Sequence, residues 1–247
     1  SDGNKGTSPD KPLATVAAAL LKCTANKGDH IILMPGHAES ILTATALNFN
    51  VAGVTVIGLG TGAARPTLTV GGVVGATITI SAASVTWRNL IITTSLDAIT
   101  AVLSVTGADF NGFDVETRDA SGTQATVFWS TGSAAHRLWL KRWVHRGDAA
   151  AGAGSAININ AIDGARIEDF WIIGNFSNSA IRGTGVCTNV TIGGGDGVNF
   201  AWTKNSADVI VNLASGSTGF IGPNINAVLT DNAANITEAI TGATFRV

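Results

Sequence analysis

The sequence predicts an all-β solenoid of stacked parallel coils, closed at its N-terminal end by a short helix. Three observations predict it. Only one segment has apolar residues at helical spacing. The rest of the chain is short β-branched runs divided by Gly and small polar residues. From about residue 77, apolar residues recur in a unit that carries several short strands, which is the signature of a solenoid.

Ser1 to Asp10 is Gly-rich and polar and reads as loop. Leu13, Val16, Leu20 and Cys23 then fall at helical spacing around a run of Ala, with Gly28 as a stop, so a helix is expected at about Thr15 to Cys23. Residues 1–29 are therefore read as N-terminal loop and capping helix, 30–204 as coils, and 205–247 as final coils or a subunit-packing segment.

The period changes after the helix. His30-Ile31-Ile32-Leu33-Met34 ends at Pro35-Gly36. Val54-Thr55-Val56-Ile57, Thr67-Leu68-Thr69-Val70 and Thr77-Ile78-Thr79-Ile80 follow, each β-branched and bounded by turn residues. The intervals are too short for helices, which disfavours alternating βα architectures.

The repeat is an apolar residue, another three later and another two after that. Trp87-Leu90-Ile92, Phe110-Phe113-Val115 and Ile167-Phe170-Ile172 fit, and Leu140-Trp143 fits the first two positions. The starting residues are separated by 23, 30 and 27 positions. A second short strand precedes each: Ile78/Ile80, Leu103/Val105, Val127/Trp129 and Ile157/Ile159; a further unit holds Ile181, Val190 and Ile192. Gly107, Gly112, Gly132, Gly164, Gly183 and Gly185 are expected at the corners. These features favour a parallel β-helix. Its open first and last strands need caps, which is the role expected of the helix.

Composition agrees. Charged residues are 13 % of the chain, against ~25 % in typical soluble domains, and the chain has 30 Gly, no Tyr and a mean hydropathy of +0.31. Like charges stacked on successive coils repel, so a charge-poor solenoid is expected. A net charge of −2 gives no basic surface for nucleic acid. No run of ~20 apolar residues suggests a membrane span, and the first residues given show no n-region, h-region and cleavage site, so neither a span nor a leader is expected within them. Cys23 and Cys187 lie roughly six coils, or ~30 Å, apart at the spacing of stacked strands, too far for a disulfide.

Gly6-Thr7-Ser8-Pro9-x-x-Pro12-x-x-Thr15-x-x-x-Ala19, with Gly28-Asp29-x-Ile31 and Pro35-Gly36, resembles the opening segment of right-handed parallel β-helix proteins. That pectate-lyase-like superfamily includes polysaccharide-active enzymes and phage tailspikes. Asp2-Gly3-Asn4 before the motif and Pro35-Gly36-His37-Ala38-Glu39 after it resemble β-helix proteins encoded among the virion structural genes of tailed phages. The second resemblance implies a homotrimeric capsid decoration (cement) protein on the virion exterior, with a major capsid protein as partner, rather than an enzyme.

Candidate chemistry is sparse. The acidic and basic motifs of polygalacturonase-like enzymes are missing; Gly36-His37-Ala38 and Arg166-Ile167-Glu168 are the nearest approaches. Asp163, Arg166, Glu168 and Asp169 are the densest group, with Arg166 and Glu168 on one side of a strand and Asp163 a further candidate for that side; a matching acid one coil away, such as Asp114 or Glu116, is needed to make them catalytic. Gly58-Leu59-Gly60-Thr61-Gly62-Ala63 imitates a dinucleotide fingerprint but runs into Arg65-Pro66 and another strand, so it reads as a turn. Gly193-Gly194-Gly195-Asp196-Gly197 resembles a single calcium-binding nonapeptide and reads as a corner. His37 and Glu39 resemble a catalytic pair but read as structural. Asn175, Asn189 and Asn235 open chance glycosylation sequons.

The stretch from His136 to Arg146 gathers Arg137, Lys141, Arg142 and Arg146 with Trp139 and Trp143. With Leu138 and Leu140 inward, Arg137, Trp139 and Lys141 face out, suited to a glycan, a nucleic acid or an acidic protein neighbour, the last being favoured. No catalytic, cofactor or metal residue is expected. The expected function is adhesion within a phage particle; the alternative is a tailspike-like glycan-binding or polysaccharide-degrading β-helix.

Overall fold

The computed structural model describes residues 1–120, 122–147, 152–203, 209–222, 225–229 and 240–246. They form a right-handed parallel β-solenoid of about seven turns behind one short helix. Each coil contributes one strand to each of three sheets. The first sheet stacks His30–Leu33, Thr55–Gly58, Thr86–Arg88, Asn111–Phe113, Trp139–Lys141, Arg166–Glu168 and Val190–Ile192. The second stacks Ala38–Ile41, Thr67–Val70, Ile91–Thr94, Glu116–Asp119, Val144–Gly147, Trp171–Gly174, Asn199–Thr203 and Ile225–Leu229. The third stacks Leu47–Phe49, Ile78–Ile80, Leu103–Val105, Trp129–Thr131, Ile157–Ile159 and Ser179–Gly183. Val209–Ile221 pairs with both Ser179–Gly183 and Val190–Ile192, so it joins the third and first sheets at the last coil.

The helix is shorter than its apolar spacing predicts, spanning Val16–Leu20. Its N-terminus is held by three side chains. Thr15 accepts a hydrogen bond from Ala18 N, the Asp2 carboxylate accepts from Ala14 N and Thr15 N, and Glu39 accepts from Val16 N at 2.8 Å. Val16 and Leu20 are buried against the first coil, next to His30–Leu33 and Leu47–Phe49. The helix thus covers the interior of the N-terminal end.

The repeat starts earlier than the sequence shows. Along the first sheet, Ile31, Val56, Trp87, Gly112, Leu140, Ile167 and Ile192 stand in register and face inward. Gly112, not Phe110, holds the position equivalent to Trp87. A Cβ at Gly112 would lie 2.7 Å from the Trp143 ring and 3.0 Å from the Leu140 side chain, so the large ring of the next coil needs the glycine. Phe113 faces outward. A second slip occurs in the third sheet, where Trp129 and Thr131, not Val127 and Trp129, pair with Leu103 and Val105. Gly112 and Gly183 lie within strands rather than at corners.

Two corners are built from left-handed residues stacked coil upon coil. Ser84, Asp109, Arg137, Gly164 and Asn189 line one, between the third and first sheets; Asn89, Asp114, Arg142 and Asp169 line the other, between the first and second. All have φ between 52° and 80°. Asn, Asp and Gly tolerate this region; Arg does so only with support.

Candidate functional site

The basic stretch that looks most like a binding site in sequence is paired to the neighbouring coils, its arginines to the preceding one and Lys141 to the following one. Arg137 donates through Nε and a terminal nitrogen to both oxygens of Asp109, at 2.6 and 2.7 Å. Arg142 makes the same two-pronged contact with Asp114. Both are bonds between left-handed corner residues of successive coils, so each ion pair pins two strained positions. Arg146 Nε donates to Glu116 at 3.0 Å, and Lys141 Nζ lies 3.5 Å from Asp169. Leu138 and Leu140 point inward as expected; Trp143 is fully buried.

Glu116 is the centre of this network. Its carboxylate is 9 % exposed and accepts from Arg118 at 2.8 Å, Arg146 at 3.0 Å and Arg65 at 3.0 Å. Burial alone would raise its pKa, but the three guanidiniums hold it below the usual carboxylate range. Arg65 arrives from 51 residues upstream on the loop after Thr55–Gly58, and also donates to the Leu90 and Asp114 carbonyls. The loop and the neighbouring corner enclose a cleft of about 430 Å³ lined by Gly60, Thr61, Arg65, Asn89, Asp114 and Arg142.

The densest acidic group is engaged as well. Glu168 accepts from Arg166 at 2.6 Å and from the Trp139 indole at 3.1 Å. Asp163 accepts from Thr188 and Asn189, which hold its pKa down, while Asp169 accepts from Gly197 N. Gly195 is at φ +78°, and a Cβ there would strike the Asp169 carboxylate, which explains the glycine run as a corner wrapped around that acid. Arg166 and Glu168 do share the outer side of a strand, but Asp114 and Glu116 lie two coils away rather than one, because the coil of Trp139–Lys141 stands between them; each carboxylate is taken up by arginines, an indole, or amide and hydroxyl donors. Among the described residues, no three acidic, His or Cys side chains converge as a metal site.

His37 and Glu39 meet at 3.2 Å, where Glu39 also caps the helix. Gly58 to Ala63 is a loop with a 3-10 turn at Gly62–Ala64 and no α-helix behind it. Cys23 and Cys187 are free thiols.

Two features escape the sequence. His145 is fully buried in the second sheet between Phe128 and Phe176, with ring centroids at 5.2 and 5.5 Å; its Nδ1 meets the Thr117 hydroxyl at 2.9 Å, and burial lowers its pKa to about 3. On the outside of the same sheet, an apolar strip runs through Val144, Trp171, Ile173, Phe200 and Trp202. Trp171 is 41 % exposed and stacks on Phe200 with ring centroids 4.3 Å apart. The sequence signal was the pair Trp171-x-Ile173 and Phe200-x-Trp202, apolar at both outward positions, where the position of Ile173 is Thr69, Thr93, Arg118 and Arg146 in earlier coils.

The chain matches no protein-family model, no curated protein and no solved structure at a significant level.

Proposed function

We propose that the protein is a bacteriophage virion structural protein, a capsid decoration or cement protein that binds the shell as a homotrimer. The observation that carries the reading is the apolar strip on the outside of the second sheet, where Trp171 is 41 % exposed and stacks on Phe200. Exposed contiguous aromatic surface of this kind marks a protein interface. The mechanism is adhesion: a rigid prism of coils holds flat surfaces at fixed angles and joins neighbouring subunits without chemistry. The engagement of Asp114, Glu116, Asp163, Glu168 and Asp169 by donors within the solenoid supports the same reading, since a hydrolytic pair needs one carboxyl group free to move a proton. The resemblance of residues 2–39 to phage virion β-helix proteins supplies the particle context.

A tailspike-like glycan-binding role is the second reading. It draws on the outer side of the first sheet, where Arg88 lies 4.7 Å over Phe113 and Arg166 4.8 Å over Trp139. Quantitative mass spectrometry of purified phage particles separates the two. The decoration reading expects the chain at a stoichiometry of hundreds of copies per shell and no polysaccharide cleavage. A few copies per particle with cleavage of host polysaccharide would replace it with the second reading.

A further inference from the structure

The arginines around Glu116 carry more charge than that one carboxylate balances. The geometry points to a binding site for a dianionic tetrahedral oxyanion, inorganic phosphate or a phosphoryl group, between Arg118 and Arg146 on the outer side of the second sheet. Such a site stands whether or not the chain decorates a capsid.

Arg118 and Arg146 stand directly opposite each other in the ladder, on the strands Glu116–Asp119 and Val144–Gly147. Adjacent strands lie ~4.8 Å apart, and like charges facing each other at that spacing repel. Both side chains reach for one atom: each Nε donates to Glu116 Oε1, at 2.8 and 3.0 Å. Glu116 Oε2 is taken by Arg65 at 3.0 Å. Three guanidiniums thus share one carboxylate, which leaves a local surplus of two positive charges on a chain whose net charge is −2. The neighbouring acids are spent elsewhere. Asp114 holds Arg142, and Asp119 lies on the inner side of its strand, where Ala125 N and Ala153 N donate to its oxygens.

Hydrogen-bond donors are in surplus too. A guanidinium carries five N–H groups. Arg118 and Arg146 spend only Nε on acceptors among the described residues, so the terminal nitrogens of both remain to be used. Their side chains are 45 % and 61 % exposed, which opens those nitrogens to solvent. The more deeply placed Arg65 has a buried Nε with no acceptor among the described residues. Burial lowers the Arg65 pKa, and Arg118 lowers it further against the pull of Glu116. The cluster is short of negative charge and of acceptors together.

A cleft of about 230 Å³ lies beside the two side chains, lined by Arg118, Asp119, Ala120, Arg146 and Gly147. At ~30 Å³ per water it has room for a tetrahedral anion with part of its hydration shell. Shape and charge select the ligand class. A carboxylate is flat, carries one charge and is satisfied by a single guanidinium fork. Two forks side by side with two unbalanced charges suit a dianion whose oxygens point out of one plane. Holding coils together and holding the anion use different atoms, Nε for Glu116 and the terminal nitrogens for the ligand. The filled site adds a second clasp across the same two strands.

Isothermal titration calorimetry of the purified chain with inorganic phosphate tests this, above neutral pH and at constant ionic strength. The wild type is expected to take up one phosphate per chain, saturably and in the millimolar range, and to bind acetate at least tenfold more weakly. Arg118→Gln and, separately, Arg146→Gln are expected to weaken phosphate binding at least tenfold. Arg137→Gln, at a paired corner, leaves it unchanged. If Arg118→Gln misfolds, Arg146→Gln alone decides, since that side chain is the more exposed. A second titration with glycerol phosphate separates the two sources of the anion. Binding as tight as that of inorganic phosphate assigns the site to a phosphoryl group carried on a larger molecule; its loss assigns the site to the free ion. No uptake of phosphate at tens of millimolar, acetate binding as tightly as phosphate, or an affinity indifferent to both arginine substitutions overturns the site.

Discussion

The first coils and the central coils share one backbone ladder but are held together differently. Between residues 30 and 80 the interior is aliphatic with one aromatic: Ile31, Leu47, Phe49, Val56, Leu68 and Ile78 alternate with outward Thr and Asn, and Arg65 is the one charge between Glu39 and Arg88. From residue 110 to 176 the interior holds Phe110, Phe128, Trp129, Trp143 and Phe170 together with Thr117, Asp119 and His145. Trp129 and Trp143 meet edge to face at 5.1 Å. Outside, acids of one coil face arginines of the next. β-Branched stacking needs no partner beyond shape; large rings need a gap such as Gly112, and buried polar groups need hydrogen bonds. The central coils are therefore where single changes should matter most.

The largest expected effect is packing. Trp143→Ala should cost about 3–5 kcal/mol, and Val56→Ala in the early coils no more than half as much, both read by urea unfolding. Asp119 comes next. Its buried carboxylate accepts from Ala125 N at 2.9 Å and Ala153 N at 2.7 Å, tying two successive corner loops to the second sheet. Asp119→Ala orphans both amides and should cost about 3 kcal/mol; equal stability of wild type and variant would show that the loops find other acceptors.

Acid should act on the central coils first. The His145 pKa is lowered from 6.5 to about 3 by burial, so the folded state stays neutral where the unfolded chain takes a proton. Its neutral form costs nothing above pH 6.5. Stability is lost as pH falls below 6.5, by about 1.4 kcal/mol per unit, down to the folded value. Glu116, Asp109 and Asp163 have depressed pKa values, so their contribution fades only near and below the ordinary carboxylate range. The window from pH 6.5 to 5 isolates the histidine, and His145→Leu should flatten the slope there. An unchanged slope would assign it elsewhere. The smallest effect belongs to the exposed corner pairs. Arg137→Gly loses a surface ion pair but relieves a left-handed arginine, so the urea midpoint should barely move.

Legibility in the sequence followed the same divide. The capping helix, the turn at Pro35-Gly36 and the early strands were readable because period-2 β-branched runs sit between clear breakers. The coil phase is ambiguous at Phe110 and Val127: Phe110 stands two residues from Gly112, a glycine that reads as a corner but holds the true register, and Val127 two residues from Trp129, which is equally apolar. The basic stretch 136–146 looked like a docking site because its acidic partners Asp109, Asp114 and Glu116 lie a whole coil away. Those pairs become visible only once the chain is aligned at its own coil length. The outer strip at Trp171 and Phe200 was hidden because the segment 198–202 falls outside the recognised repeat units.

The central claim is that the charges gathered around Glu116 serve to hold coils together. A double-mutant cycle on Arg65 and Glu116, measured by denaturant unfolding, tests it most directly. Glu116→Gln and Arg65→Gln should each destabilise the fold by about 2–3 kcal/mol, and the double variant by clearly less than their sum. Strict additivity, or single variants as stable as the wild type, would contradict it and return the arginine cluster to the role of a ligand site.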